Sequence, residues 1–317
     1  MKLLSIGEFG LIEQIRRNFP EPEGVRGIGD DCAVIPQRSG LDTLVSTDML
    51  IEGSHFLLAD ISPYELGWKS AAVNISDIAA MGGNPTATFL SFALPKTLPD
   101  GWVEAFMQGY ADISSRYGVA LLGGDTTASP DRLCINVAVL GFCPHGAAKL
   151  RSSAREGDLV CVTGTLGDSA AGLHIVLNGL DRSTSEAQYL LGRHHLPTPR
   201  VSEGLSLASC PGVHAMMDIS DGIASDLRHI MEESGLGASV ELCKLPLSEE
   251  LKSFCALQGL DAEELAAAGG EDYELLFTMA PDARPSVPYT VIGRMTAGDE
   301  LVWPGSNRDF VGFRHLI

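Results

Sequence analysis

Strand-patterned apolar runs alternate with longer helix-patterned ones along almost all 317 residues, and this alternation limits the fold more than any other feature. Helical spacing over 5–19 is stopped by Pro20, Pro22 and Gly24. Short strands are expected at 33–36 and 42–46, the second ending at Thr47-Asp48. Ser62-Pro63 offers a cap and a proline at the first helical position, opening a helix that Gly82-Gly83 ends. A strand at 86–94, a helix from Pro99 to Tyr117, a short strand at 120–122 and a long alternating strand at 132–142 follow. The segment 144–154 reads as a crossing, which predicts two domains, 1–148 and 149–317. In the second, strands are expected at 158–163, 214–219, 238–242, 273–279 and 289–293, and helices at 168–177, 200–208, 222–234 and 247–257. The pattern predicts an α/β (α+β) fold class.

Aspartates fall at the ends of these apolar segments. Asp30 and Asp31 lie in a glycine turn, Asp48 follows a strand, and Asp77 sits on an otherwise apolar helix face. Asp125 follows Gly123-Gly124, and Asp218 and Asp221 close another strand. A single such aspartate is most simply a helix cap or turn residue. A carboxylate among Val, Ile, Leu and Gly is costly unless a cation or several N–H groups compensate it. The set therefore points to shared binding of Mg²⁺, with phosphate oxygens completing the shell. Ser46-Thr47 adds two hydroxyls beside Asp48, and Gly124 would let the backbone approach a phosphate.

Other candidates carry less. Gly164-Thr165-Leu166-Gly167, between a strand and a helix, has the setting of a phosphate loop but lacks the Gly-Lys-Ser/Thr of a Walker A motif, and is read as structural. His194-His195 lacks metal-ligand spacing and is read as surface. Glu271, in Gly269-Gly270-Glu271-Asp272-Tyr273-Glu274, opens a strand from two glycines. His55 and Arg151 are either surface residues or substrate contacts.

Composition narrows the partners. With 41 Asp and Glu against 22 Lys and Arg, the net charge of −19 argues against a nucleic-acid binder, which would normally show a basic stripe. The seven cysteines are odd in number and include no C-x-x-C, which predicts free thiols in a reducing compartment. There is no signal-peptide pattern and no run of membrane length, so a cytoplasmic location without a membrane partner is expected.

Taken together, GIGDDCA (27–33), STDML with EGSHF (46–56), AVNISDIAAMGG (72–83), LLGGDTT (121–127), RSSAREGD (151–158), VTGTLGDSAAGL (162–173), HHLPTPR (194–200), DISDGIASDL (218–227) and GGEDYELLFT (269–278) resemble the thiamine-monophosphate kinases of the aminoimidazole-ribonucleotide synthetase-like superfamily. The matches run in order over nearly the whole chain. The resemblance implies an N-terminal ATP/Mg-binding domain that dimerises through its sheet, a C-terminal α/β domain, and a homodimer with its active site in a cleft. It implies transfer from ATP to thiamine monophosphate, the last step of thiamine diphosphate formation. It implies Mg²⁺ ligands Asp31, Ser46, Thr47, Asp48, Asp77, Asp125, Asp218 and Asp221, with Asp30 adjacent. Gly124, Asp125, Arg151 and Ser220 would face ATP; His55, Glu271 and Phe313 would face the thiamine substrate.

Sister enzymes fit less well. A selenophosphate synthetase would show a reactive Cys in its Gly-rich N-terminal segment, and the hydrogenase-maturation dehydratase would end in Cys. A non-catalytic nucleotide sensor would keep the acidic cluster without turnover.

Overall fold

The computed structural model describes residues 17–18, 40–306, 308 and 310–312. Asp30, Asp31, Phe313 and the expected elements at 5–16 and 33–36 lie outside them. The chain divides into two compact units. The first takes residues up to Ile78 plus Asn84–Gly146, and the second takes Ala79–Gly83 plus the chain from Ala147 onward.

The first unit is built on a four-stranded sheet of β1 (Leu41–Ile51), β2 (Asn84–Pro95), β3 (Ala120–Ser129) and β4 (Cys134–Pro144). The order is β1-β4-β2-β3, with β2 and β3 parallel and the other pairs antiparallel. Helices α1 (Pro63–Ala80) and α2 (Trp102–Tyr117) belong to the same unit. A capping box starts α1: Glu65 donates its N–H to Ser62 Oγ at 3.2 Å, and Ser62 returns its N–H to Glu65 Oε2 at 2.8 Å. The helices cross in backbone contact, since a Cβ at Gly67 or Gly109 would overlap the carbonyl of Phe106 or Tyr64. Phe106 of α2 meets Phe92 of β2 edge-on at 5.0 Å, joining helix layer to sheet.

Strand alternation separates the two sheet faces. Ile135, Val137 and Val139 of β4 are fully buried, while Cys134, Asn136 and Ala138 between them are half-buried. Val45 and Met49 on β1 stand on this second face and are 68% and 54% exposed.

The second unit holds a six-stranded sheet, order β10-β7-β9-β5-β8-β6, of β5 (Leu159–Val162), β6 (Val213–Asp218), β7 (Gly237–Val240), β8 (Leu275–Met279), β9 (Thr290–Thr296) and β10 (Leu301–Val302). Its helices are α3 (Asp168–Leu177), α4 (Ser185–His195), α5 (Val201–Ser209), α6 (Ile223–Ser234), α7 (Glu249–Gln258) and α8 (Ala262–Ala268). Every residue of β8 is buried because both faces are covered. Leu276 joins Met217, Leu227 and Ile230 on one side, and Leu275, Phe277 and Met279 join Met216 and Leu207 on the other. A third cluster ties α3, α4 and α7 through Ala171, Ile175, Leu190, Leu251 and Phe254.

Two differences from the expected elements matter. β1 does not stop at Thr47-Asp48 but continues to Ile51, and β3 continues through Gly123-Gly124-Asp125 to Ser129. The polar residues expected at strand ends therefore lie inside strands. α4 and α8 were not expected at all.

Candidate active site

In the first unit β1 and α1 bring three predicted residues together. Ser46 donates its hydroxyl to Asp77 Oδ2 at 2.6 Å. Asn74, one turn before Asp77 on the same helix face, accepts the Asp48 N–H at 3.2 Å. Asn74 is itself buried and fixed by its amide, which donates to the Ser70 carbonyl at 3.0 Å. Asp77 is the one residue of 71–80 that is not fully buried. Asn136 secures the segment from the neighbouring strand, donating to Thr47 Oγ1 at 2.9 Å and the Asp48 carbonyl at 3.0 Å.

Asp125 is not part of this group. The register Asp125↔Ser91↔Asn136↔Met49 places it on the exposed face of the sheet, with Thr47. Ser46 and Asp48 pair with Val139 and Val137 and share the helix-covered face with Leu90. Asp125 accepts the Thr126 N–H at 2.9 Å. Gly124, at φ 153°, lies so close to β2 that a Cβ would collide with the Leu90 carbonyl. His55 folds back on β1, its Nδ1 accepting the Ile51 N–H at 3.0 Å, which leaves Nε2 as the protonated nitrogen of the neutral ring.

In the second unit Asp218 ends β6, and the turn after it is organised by Asp226. One carboxylate oxygen of Asp226 accepts the N–H groups of Ser220, Asp221 and Gly222 at 3.0–3.1 Å. Burial, and then the neighbouring charges of Asp218 and Asp221, push the Asp226 carboxyl well above its ordinary range. The loop 269–274 is laced to this turn. Glu271 donates its N–H to the Ser220 carbonyl at 2.8 Å, and Tyr273 donates to the Ile219 carbonyl at 3.0 Å. Glu271 and Tyr273 both have left-handed backbones, φ 63° and 51°, which non-glycine residues rarely adopt. Gly312 packs beside the Asp221 carbonyl, and a Cβ there would also meet Ser225.

Arg151 is exposed, in a single 3-10 turn, Arg151–Ser153. Its carbonyl accepts the Ser234 hydroxyl at 2.8 Å. Ser234 closes α6 and Ser220 precedes it, so the helix, about 18 Å long, keeps the Arg151 backbone apart from Ser220.

The start of α3 is not open to a phosphate. Asp272, fully buried, accepts the N–H of Gly167 at 2.7 Å and of Ser169 at 3.2 Å. Burial raises its carboxyl to about 7, against the pull of Arg193 and these N–H groups. Beside it, Glu274 accepts from Thr163 Oγ1 at 2.7 Å, from Arg193 at 3.0 Å and from Arg200 Nε at 2.7 Å, with a second Arg200 bond on the other oxygen. Neither His194 nor His195 is on the surface: they are 6% and 5% exposed, at the end of a helix that sequence reading missed.

The oxygen-only set of Ser46, Asp48 and Asp77 suits Mg²⁺, which typically takes one or two carboxylates and leaves its other positions to water and phosphate. Among the described residues no three His, Cys, Asp or Glu side chains form a metal cage on their own. No described helix is long and apolar enough to cross a membrane.

Comparisons with known proteins identify the family. The AIR synthase related protein N-terminal domain matches residues 29–143, and the corresponding C-terminal domain matches 155–303. A thiamine-monophosphate kinase of Escherichia coli strain K12 is 41% identical over 313 residues, covering 94% of this chain and 93% of the relative. The crystal structure of thiamine-monophosphate kinase from Stenotrophomonas maltophilia K279a superposes with a TM-score of 0.83 at 36% identity, over 95% of this chain and 98% of that one. A solved complex of AaThiL with AMPPCP and TMP gives the same TM-score and identity over 100% of this chain and 99% of that one. This chain belongs to the thiamine-monophosphate kinase family of two-domain AIR synthase related proteins.

Proposed function

We propose that the chain transfers the γ-phosphoryl group of ATP directly to the phosphate of thiamine monophosphate, giving ADP and thiamine diphosphate. The observation that carries the reading is the oxygen-rich group of Ser46 and Asp77, joined by a hydrogen bond, with Asp48 held alongside through Asn74. The reaction needs neither a protein nucleophile nor a general base. The acceptor is a phosphate monoester with a second pKa of about 6, so at neutral pH it is already largely the dianionic nucleophile. An acceptor oxygen forms a bond to the γ-phosphorus as the bond to the β,γ-bridging oxygen breaks, and the electron pair leaves with ADP. The obstacle is repulsion between two polyanions; bound Mg²⁺ would supply the charge that offsets it. Asp48 and Asp77 with Ser46, Thr47 with Asp125 on the opposite sheet face, and Asp218 with Asp221 are the proposed holders of several such ions; Asp31, outside the described residues, is proposed with them.

Gly124, Asp125, Arg151 and Ser220 are proposed to face the nucleotide. Glu271, His55 and Phe313 are proposed to face the thiamine moiety, where a carboxylate and an aromatic ring suit a cationic thiazolium. The relative solved with AMPPCP and TMP supports this pair of ligands. Val45 and Met49, exposed on the outer sheet face, support a homodimer formed through that face. A chain that sediments as a monomer at assay concentrations would refute the dimer. A cytoplasmic location accords with the free thiols at Cys143, Cys161 and Cys255.

A coupled assay of ADP release tests the function. Turnover is expected with thiamine monophosphate and none with thiamine, which lacks the dianion. ATP binding without acceptor-dependent turnover would instead make the chain a nucleotide sensor.

A further inference from the structure

We propose that His194 is a positioning residue that holds the Glu271 carboxylate for the thiamine moiety. The proposal rests on the assignment of Glu271 to that moiety. His194 Nδ1 lies 3.0 Å from Ser169 Oγ and 3.3 Å from Glu271 Oε2. The histidine side chain is 7% exposed and the glutamate side chain 27%, so the ring is an interior support and the carboxylate reaches outward from it. With Nδ1 protonated, the ring donates toward both oxygens, and Glu271 is steered in either charge state of the histidine.

The support is itself anchored. Ser169 gives its backbone N–H to Asp272 while its hydroxyl oxygen accepts from His194 Nδ1, so consecutive residues of one loop are fastened to the first turn of α3. α4 carries His194 to this place because α3 has a glycine where the helices cross. A Cβ at Gly172 would lie 2.8 Å from the His194 Cβ and would overlap the Leu190 carbonyl. The Glu271 backbone is held from the other side by its bond to Ser220. A flexible glutamate side chain is thereby ordered before substrate arrives, which favours binding without any new substrate contact.

A purely structural histidine would affect folding, or all kinetic constants together. A positioning histidine affects one substrate. His194→Ala is expected to raise the KM for thiamine monophosphate roughly tenfold, the scale of one lost hydrogen bond to a charged group, with the KM for ATP within about twofold. His194→Asn, whose amide nitrogen takes the place of Nδ1, should restore most of the loss; His194→Gln, whose amide reaches the Nε2 position, should not. This pair decides the matter even if the alanine variant fails to fold. Equal effects on both KM values, or Asn no better than Gln, would overturn the proposal. Glu271→Gln run in parallel separates the two readings. If it raises the acceptor KM and His194→Ala does not, His194 has no positioning role while the Glu271 assignment stands. If Glu271→Gln leaves the acceptor KM unchanged, that assignment fails and the proposal with it.

Discussion

Glu271 donates its backbone N–H to the carbonyl of Ser220 at 2.8 Å, which ties a residue assigned to the acceptor to one assigned to the nucleotide. The spacing depends on Gly270, where a Cβ would overlap that same Ser220 carbonyl. Gly270→Ala should therefore separate the two segments. Displacements of about 1 Å at a reacting centre can cost roughly 100-fold, and a fall of that order in kcat/KM is expected. Steady-state kinetics beside a melting curve checks it: an unchanged kcat/KM would mean that the laced segments do not set the reaction geometry.

Ser46, besides its proposed place among the Mg²⁺ holders, is an outer partner of Asp77, to which its hydroxyl donates at 2.6 Å. Removing such an outer partner typically weakens a metal site roughly 10- to 100-fold. Ser46→Ala should raise the Mg²⁺ concentration needed for half-maximal activity by that order, with recovery at high Mg²⁺. Asp77→Asn should lose activity that Mg²⁺ does not restore. Identical Mg²⁺ titrations for wild type and Ser46→Ala would remove the pair from the metal site.

Asp272 makes stability depend on pH. Burial lifts its carboxyl from 3.8 to about 7 in the folded state, so between these values the folded chain holds a proton that the unfolded chain has lost. Its contribution is complete below about pH 4 and is lost as pH rises through about 7. Asp272→Asn, which cannot ionise, should lack this component, so wild type should lose stability relative to the variant across that window. Urea midpoints at pH 5 to 8 measure the difference, and parallel curves would show that the carboxyl stays ionised throughout.

Glu274 is fully buried between Arg193 and Arg200. Removing one partner of a buried ion pair leaves charge without compensation, at a cost of about 3–5 kcal/mol. Glu274→Ala should lower stability by that amount, read from the denaturant midpoint. A loss below about 1 kcal/mol would mean that water reaches both guanidinium groups.

Much of this was legible in the sequence because local rules carried it. Ser62-Pro63 with Glu65 marks the start of α1, and Gly118 after Tyr117 marks the end of α2 in a left-handed cap. The Asp77 side chain stands out on its helix because all its neighbours are buried. What escaped depended on partners distant in the chain. Asp125 reads like Asp48, a carboxylate near a strand end, yet strand pairing sets them on opposite sheet faces. A register shift at Thr88/Phe89, invisible in the sequence, helps to fix which side Asp125 takes. His194 and His195 look like surface residues beside Gly192 and Arg193, yet both are buried, and His194 sits against Gly172 of α3. α8 had a usable signal: Asp261 caps it by accepting from Glu263 and Glu264, ahead of an alanine-rich run.

The most deeply buried strand, β8, begins one residue after Glu274 and four after Glu271. Across those positions one carboxylate reaches outward while Asp272, Tyr273 and Glu274 are buried, each fixed to a different neighbour. Inserting or deleting a single residue there would turn Asp272 or Gly270 outward in place of Glu271 and shear Glu274 from its arginines. Substitution can alter what the loop presents at Glu271, but its length is frozen by the interior it enters.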